Sequence, residues 1–145
     1  MDKELLRKAM EIALTYDVQT SKDSVVVFSV SFQPSKENKI KAKEYVAQNK
    51  VLTILDYTPC GKALIDLNLE DYAQNDDDME KIAEVWRVAS KRYIECASGN
   101  VTAFVDGADE RSVFRMTEFP EIIKNPDILT INGIDKEVFK SQMGW

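Results

Sequence analysis

Apolar residues recur at helical spacing in two long segments of the chain. Residues 2–16 place them three and four positions apart, which predicts an amphipathic helix. A longer helix is predicted to begin in the acidic run NDDDME at 75–80 and to end near Gly99, whose backbone would be left-handed. One face of this long helix carries Met79, Ile82, Ala83, Trp86, Ala89, Tyr93 and Ala97.

Short apolar runs rich in β-branched residues alternate with these helices. The run SVVVFSV at 24–30 predicts a buried strand, and residues 51–55 predict a second one. The segment VTAFV after Gly99 and residues 127–131 predict two further strands. Strands that alternate with helices are typical of a sheet covered by helices.

Helix-start signals mark the shorter helices. Ser35 follows a proline and can cap a helix that runs to about residue 48. Thr58 and Pro59 supply an N-cap and a first-turn proline for another helix. Pro120 opens a short helical turn, and residues 135–142 predict the last helix.

A third kind of pattern, strict alternation, occupies residues 112–118. As a strand, this segment points Ser112, Phe114, Met116 and Glu118 to one side. A face with a hydroxyl, an aromatic ring, a thioether and a carboxylate is unusual for a core. We therefore predict that it forms the wall of a site, with Glu118 at the carboxyl end of the strand, where α/β sheets bind ligands.

These elements predict a mixed α/β protein. Helices dominate before residue 98 and strands after it, so we expect a helical N-terminal half packed on a small, mostly parallel sheet. A chain of 145 residues, with no internal repeat and no linker-like segment, predicts a single domain, 1–145.

Composition narrows the function classes. The net charge of −6 disfavours nucleic acid as a partner, and the apolar runs are too short to span a membrane. The charged N-terminal helix does not resemble a signal peptide. The chain has no histidine, which removes the usual hydrolytic triads and the common zinc sites, so no metal is expected. Two cysteines without paired spacing suggest a fold that works reduced, as in cytosol.

The acidic run at 75–80 has two interpretations. Clustered carboxylates can bind calcium, but this run lacks the alternating acids and the central glycine of a calcium loop. The favoured interpretation is a solvated helix start that suits the helix dipole.

The segment from Trp86 to Glu118 resembles the C-terminal half of the ADP-ribosyl cyclase family, which includes animal NAD-glycohydrolase ectoenzymes. The motifs that carry this likeness run from residue 86 to residue 93 (WRVASKRY) and from residue 112 to residue 118 (SVFRMTE), where the family has S-x-F-x-x-x-E. The TPCGKAL segment at 58–64 fits the cyclase-like toxin domains of bacterial polymorphic toxins. The resemblance covers about residues 24–134 and implies a cyclase-like fold.

The resemblance also implies site roles. Glu118 matches the catalytic glutamate, and Trp86 matches a residue that stacks on nicotinamide. Ser90, one turn further on, would reach the same pocket. Phe28 stands where the family has a second stacking tryptophan. Asp56 stands where an acidic residue, usually Glu, helps to set whether NAD is cyclised or hydrolysed.

Each of these residues also has an ordinary structural interpretation. Glu118 would cap the turn at Pro120, and Trp86 would be a core residue. The Ser90 hydroxyl would bond its own helix, and Asp56 would end a strand.

Val30 replaces the basic residue that follows the serine on the first strand in animal members. Contacts with the pyrophosphate from that strand would therefore be weakened. Arg111, Ser112 and Phe114 are candidates to replace them, and the helix start at Thr58 is a second candidate anion site.

The chemistry suits this residue set, because nicotinamide leaves NAD as a neutral pyridine and needs no general acid. The first hypothesis is an NAD glycohydrolase, with NAD as substrate and no cofactor. It would be a domain of a larger polymorphic toxin of the contact-dependent inhibition type, delivered to the target-cell cytoplasm and matched by a cognate immunity protein. The alternatives are a catalytically inactive nucleotide-binding module, an immunity or interaction protein, and a histidine-free ribonuclease toxin.

Overall fold

The part of the chain that the structure describes contains a small open sheet of four strands. The structure, a computed structural model, describes residues 1–30 and 36–145. Within these ranges, one sheet has the strand order β1-β2-β3-β4, with β2 parallel to both β1 and β3, and β4 antiparallel to β3. The prediction of a mixed α/β fold with a mostly parallel sheet is confirmed. The strands are β1 (Val26–Phe28), β2 (Gly99–Phe104), β3 (Ile128–Ile131) and β4 (Ile134–Asp135).

Helices account for most of the remaining described chain. Two 3-10 turns (Leu55–Tyr57 and Leu69–Tyr72) and a π-helix (Phe114–Glu118) connect them. Ser35, the predicted cap of the second helix, lies outside the described residues. None of the helices in the described ranges combines the length and apolar character that crossing a membrane requires. The α-helices are α1 (Lys3–Thr15), α2 (Glu37–Ala47), α3 (Pro59–Asp66), α4 (Asp76–Glu95), α5 (Phe119–Lys124) and α6 (Lys136–Met143).

Helix α4 is the central helix of the core. The Asn75 side chain caps it by accepting the amide of Asp78, and the Asp78 carboxylate accepts the amide of Gln74. The acidic run therefore starts a helix, as the favoured interpretation held, but Asp78 is buried and not solvated. Ile82, Ala89 and Tyr93 are buried as predicted, but Met79 is exposed because it lies in the first turn, beyond the core.

The end of α4 differs slightly from the prediction. The helix ends at Glu95, and the left-handed Gly99 starts strand β2 instead of capping the helix. Its amide donates to the carbonyl of Asp127, so this turn joins α4 to the parallel pairing of β2 with β3.

Residues 51–55 do not form the predicted strand. Only Thr53 makes a bridge, with Val25, and Leu55 already belongs to a 3-10 turn. The amides of Tyr57 and Thr58 donate to Ile54 and Leu55, so local turn bonds replace the strand pairing.

The predicted strand at 112–118 is helical. The Ser112 hydroxyl accepts the amide of Arg115, three residues further on, as a helix N-cap does. Phe114 and Glu118, four residues apart, are both buried on one helical face, whereas Met116 is exposed. A residue pair spaced by four satisfies both a period of two and a helical period, which is why the alternation was misleading.

Candidate active site

A cavity of about 550 Å³ opens beside the carboxyl end of β1, within the size range of small-molecule sites. Its walls come from several parts of the chain: β1 and the residues after it, one face of α2, the end of α3, the two 3-10 turns, α4 and the π-helix. The cavity lies at the strand end where parallel sheets bind ligands. Of the residues predicted for a site, Phe28, Asp56, Trp86, Ser90, Phe114 and Glu118 line it.

The Glu118 carboxylate is the most unusual group in this cavity. The residue is only 7% exposed, and within the described residues its carboxylate forms no ion pair and accepts no hydrogen bond. Burial, and to a smaller extent the negative charge of Asp56, raises the pKa of Glu118 to about 8. Burial of an unpaired carboxyl lowers the stability of the fold. A carboxyl of this kind that faces a cavity is a candidate to bind a cation there.

The π-helix positions this carboxylate, not the strand end that the sequence predicted. Its first residue, Phe114, packs against Phe119 and Trp145, with ring centroids 5.8 and 5.9 Å away. Phe119 follows Glu118 directly and starts α5. Glu118 is therefore held between two anchored aromatic rings, in a type of helix that is frequent at functional sites. No side-chain cap bond is formed by Glu118 at the start of α5.

Helix α4 supplies three side chains to the opposite wall. Trp86, Ser90 and Tyr93 lie at i, i+4 and i+7 and therefore share one face. Trp86 is half-buried: it packs on the core and also lines the cavity, so its two interpretations are compatible. In the described part of the chain the Ser90 hydroxyl makes no bond to its own helix, although the residue is buried.

Tyr93 also lines the cavity, although the sequence indicated no site role for it. Its hydroxyl donates to the carbonyl of Thr53 at 2.9 Å, and the Val26 carbonyl lies 3.4 Å away. Burial raises the pKa of Tyr93, and the charges of Glu118 and Asp56 act in the same direction. The phenol thus stays neutral and ties α4 to β1 and to the segment that leads into Asp56.

Asp56 lies in the first 3-10 turn and is half-buried at the cavity wall. The turn rests directly on the start of α3, where the Thr58 hydroxyl accepts the amide of Gly61 and donates to the carbonyl of Leu55. A Cβ atom at Gly61 would overlap the Leu55 carbonyl oxygen and crowd the Cα of Asp56. The glycine therefore permits the close approach that places Asp56.

Replacing Gly61 with Ala should lower the free energy of unfolding by about 1–3 kcal/mol, because the new methyl group must push two backbone segments apart. Thermal or urea denaturation measures the change. Lys62→Ala, at the exposed neighbouring position of α3, is the matched control and should be near parent stability. Equal stability of Gly61→Ala and the parent would contradict the proposed contact.

The cationic side of the cavity is supplied by residues that the sequence analysis missed. Lys39 and Lys43 of α2 line it, whereas Val30 presents only an aliphatic side chain there. The Asn38 side chain positions this helix by donating to the carbonyls of Ser29 and Asp106 at 2.8 and 3.0 Å. A lysine spacing of four within a predicted helix was the available signal.

The predicted phosphate contacts from Arg111 and Ser112 are not supported. Neither is among the described residues that line the cavity. Arg111 pairs with Asp109 at 3.1 Å, and the hydroxyl of the buried Ser112 caps the π-helix. The α3 start is not a free anion site either, since the amides of Cys60 and Gly61 donate to Asp17 and Thr58. Phe114 reaches the cavity as an aromatic wall.

No protein-family model and no curated protein matches this chain. Its fold, however, is similar to several solved structures. A crystal structure of ADP-ribosyl cyclase complexed with N1-cIDPR has a TM-score of 0.59 at 17% identity, covering 90% of this chain and 63% of that chain. This chain therefore corresponds to less than two thirds of the cyclase's length.

Two structures of porcine CD38 are similar to a comparable degree. CD38 complexed with a covalent intermediate, ribo-F-ribose-5'-phosphate, has a TM-score of 0.58 at 17% identity, covering 98% of this chain and 79% of that chain. Apo CD38 has a TM-score of 0.55 at 19% identity, covering 90% and 67%. At these identities the likeness concerns the fold, and it agrees with the likeness of the sequence motifs. The chain has the fold of ADP-ribosyl cyclase and CD38.

Proposed function

We propose that this protein is an NAD glycohydrolase, which cleaves the bond between nicotinamide and ribose and releases nicotinamide and ADP-ribose. The observation that carries the proposal is the buried, unpaired Glu118 carboxyl, which faces a cavity that Trp86 and Phe28 also line. The cyclase-like fold supports an NAD-processing enzyme.

The proposed reaction mainly requires a carboxylate that stabilises positive charge on the ribose, and Glu118 provides one. The nicotinamide ring of NAD is a pyridinium cation and departs as a neutral molecule, so positive charge moves onto the ribose as the bond breaks. The ionised carboxylate of Glu118 stabilises that oxocarbenium-like centre. In the free protein this carboxyl holds a proton at neutral pH, since its pKa is about 8. The arriving cation favours the ionised form and drives the proton off.

The other cavity residues orient the substrate in this proposal. Trp86 stacks on the nicotinamide ring from α4, and Phe28 offers a second aromatic face from the end of β1. The Ser90 hydroxyl, which has no bond to its own helix, is available to the ribose or the carboxamide. Tyr93 is a positioning residue, because its hydroxyl is engaged with the carbonyl of Thr53.

Trp86→Ala should raise the KM for NAD and lower stability, because it removes both the stacking surface and part of the core contact. Complete truncation of a buried tryptophan costs about 3–5 kcal/mol, and a half-buried one costs less. Steady-state kinetics together with thermal denaturation measures both effects. Trp86→Phe is the matched variant: retained activity supports stacking, whereas lower stability with unchanged kinetics would assign Trp86 to the core alone.

We expect hydrolysis to exceed cyclisation. Cyclisation requires the adenine to fold over the ribose while water is excluded, which needs extra contacts at the pocket mouth. Phe28 lacks the indole N–H of the family's tryptophan, and Asp56 is one methylene shorter than the usual Glu. Incubation with NAD, followed by chromatography against ADP-ribose and cyclic ADP-ribose standards, tests function and product together. Cyclic ADP-ribose as the main product would contradict the product prediction, and intact NAD would contradict the function.

The second candidate function is an inactive nucleotide-binding module. The same two departures at Phe28 and Asp56 favour it, since both affect residues that line the cavity. Binding of NAD by calorimetry without any turnover would support this candidate against the glycohydrolase.

We further propose a biological setting in which the domain acts as an interbacterial toxin that depletes NAD in the target-cell cytoplasm and is blocked by an immunity protein. The support is the likeness of residues 58–64 to cyclase-like toxin domains. Inducible expression in a bacterium should lower cellular NAD and arrest growth, and Glu118→Gln should abolish both effects. Normal growth and NAD levels with active enzyme present would contradict this role.

A further inference from the structure

The two lysines at the cavity wall differ from the other lysine near them on the same helix. Lys39 and Lys43 lie one turn apart on one face of α2, and Lys39 is half-buried. Neither forms an ion pair with any described residue. Lys41, between them in sequence, is outside the main cavity and approaches Asp106 at 4.0 Å. Two like charges one turn apart repel each other, so the pair disfavours the empty site.

The charges in the cavity are separated by sign. Its described cationic side chains are both on α2, whereas its carboxylates come from other elements: Asp56, Glu70 and Asp71 from the 3-10 turns and Glu118 from the π-helix. None of these carboxylates pairs with Lys39 or Lys43 within the described residues. The cavity therefore offers one positive and one negative side to a ligand.

A dinucleotide with a pyridinium ring at one end and a diphosphate in the middle has the complementary charge arrangement. We infer that Lys39 and Lys43 bind the diphosphate of the substrate and thereby direct its cationic ring towards Glu118 and Trp86. This inference rests on the proposed function. Two ammonium groups on one rigid helix face meet the two phosphates from the same side, and they replace the positive charge that Val30 does not supply.

The test uses the double variant Lys39→Gln/Lys43→Gln, with Lys41→Gln as the control on the same helix. The substrates are NAD and nicotinamide riboside, which has the same scissile bond and no phosphate. The double variant should raise the KM for NAD by about ten- to a hundredfold, as loss of charged hydrogen bonds does. Its kinetics with the riboside should match the parent, and Lys41→Gln should match the parent with both substrates.

Increasing salt provides a second kinetic measurement. Screening should raise the parent's KM for NAD and have less effect on the double variant, because the phosphate attraction is already lost. An unchanged KM for NAD in the double variant would overturn the inference. Equal losses with NAD and the riboside would also overturn it, since the lysines would then be structural.

Equilibrium binding separates this inference from the proposed function. The parent should bind ADP, which carries the diphosphate, more tightly than adenosine, and the double variant should lose that preference in calorimetry. If the parent binds ADP through these lysines but cleaves neither substrate, the glycohydrolase proposal fails and the phosphate site stands. If the parent binds ADP no better than adenosine, the phosphate site fails, whatever the enzyme does to NAD.

Discussion

Glu118→Gln should reduce the rate of NAD cleavage by at least about a hundredfold, the usual cost of losing one preorganised electrostatic contact in a transition state. The substitution keeps the size and shape of the side chain and removes only the charge that faces the developing cation. The KM for NAD should change less than kcat, because the interaction is strongest in the transition state. Initial rates measured by chromatography give both constants.

The free energy of unfolding of Glu118→Gln, measured as a function of pH, shows that the variant is folded and tests the raised pKa of Glu118. In the unfolded chain the Glu118 carboxyl has an ordinary pKa near 4.5, whereas the folded value is about 8. Between these values the native state holds a proton that the unfolded state has released, so the stability of the parent falls as pH rises through this window. The stability of Glu118→Gln does not fall in this pH window, because glutamine does not titrate. The variant should match the parent near pH 4 and be more stable above pH 8, by on the order of a few kcal/mol.

Glu121→Gln is the matched control for these measurements. Glu121 lies on α5 beside the π-helix, pairs with Lys124 at 3.7 Å and is not among the described residues that line the cavity. It should retain parent activity and parent pH dependence of stability. Parent-like NAD cleavage by folded Glu118→Gln would contradict the assignment of Glu118.

The pH dependence of kcat/KM is the second large effect. This ratio reports the free enzyme, in which the pKa of Glu118 is about 8. Only the ionised form stabilises the cation, so kcat/KM should rise about tenfold per pH unit below pH 8 and level off above it. In the proposed complex with NAD, the pyridinium should lower the pKa of Glu118, and kcat should therefore level off at lower pH.

Asp56→Asn tests the cause of this profile. The Asp56 charge contributes to the raised pKa of Glu118, and removing it should move the rising limb of kcat/KM to lower pH. Burial is the larger cause, so most of the elevation should remain. A kcat/KM that is constant from pH 6 to 9, or that falls as pH rises, would contradict the role of an ionised Glu118.

Local signals in the sequence were sufficient to predict where the helices with a capping side chain begin. Asn75 caps α4, Thr58 caps α3 through the amide of Gly61, and Asp135 caps α6, each within a few residues of the predicted start. The buried run that became β1 was also predictable, because a continuous β-branched stretch has few other stable positions. Its prediction as a strand is confirmed, although β1 is shorter than residues 24–30.

Sequence patterns were insufficient where two periodicities coincide. Ser112, Phe114 and Glu118 alternate like a strand but fold as a capped helical turn, because Phe114 gains a place among Phe119 and Trp145. Trp145 is far from this segment in the sequence, so a prediction from neighbouring residues does not include its contact with Phe114, which favours the helical turn over a strand.

The candidate site also has features that the sequence determined and features that only the tertiary structure decided. The sequence by itself determined the identity of the chemical groups: a carboxylate in a cyclase-like motif at Glu118, a tryptophan one turn before Ser90, and an acid ahead of the TPCG segment. Only the tertiary structure decided which charges meet. Glu118 loses water because it is buried in the cavity wall, and it lies near Asp56 because Gly61 lets two backbone segments touch. Burial and the distance between charges depend on contacts across the whole chain, and these set the pKa of Glu118 and the side of the cavity that Lys39 and Lys43 occupy.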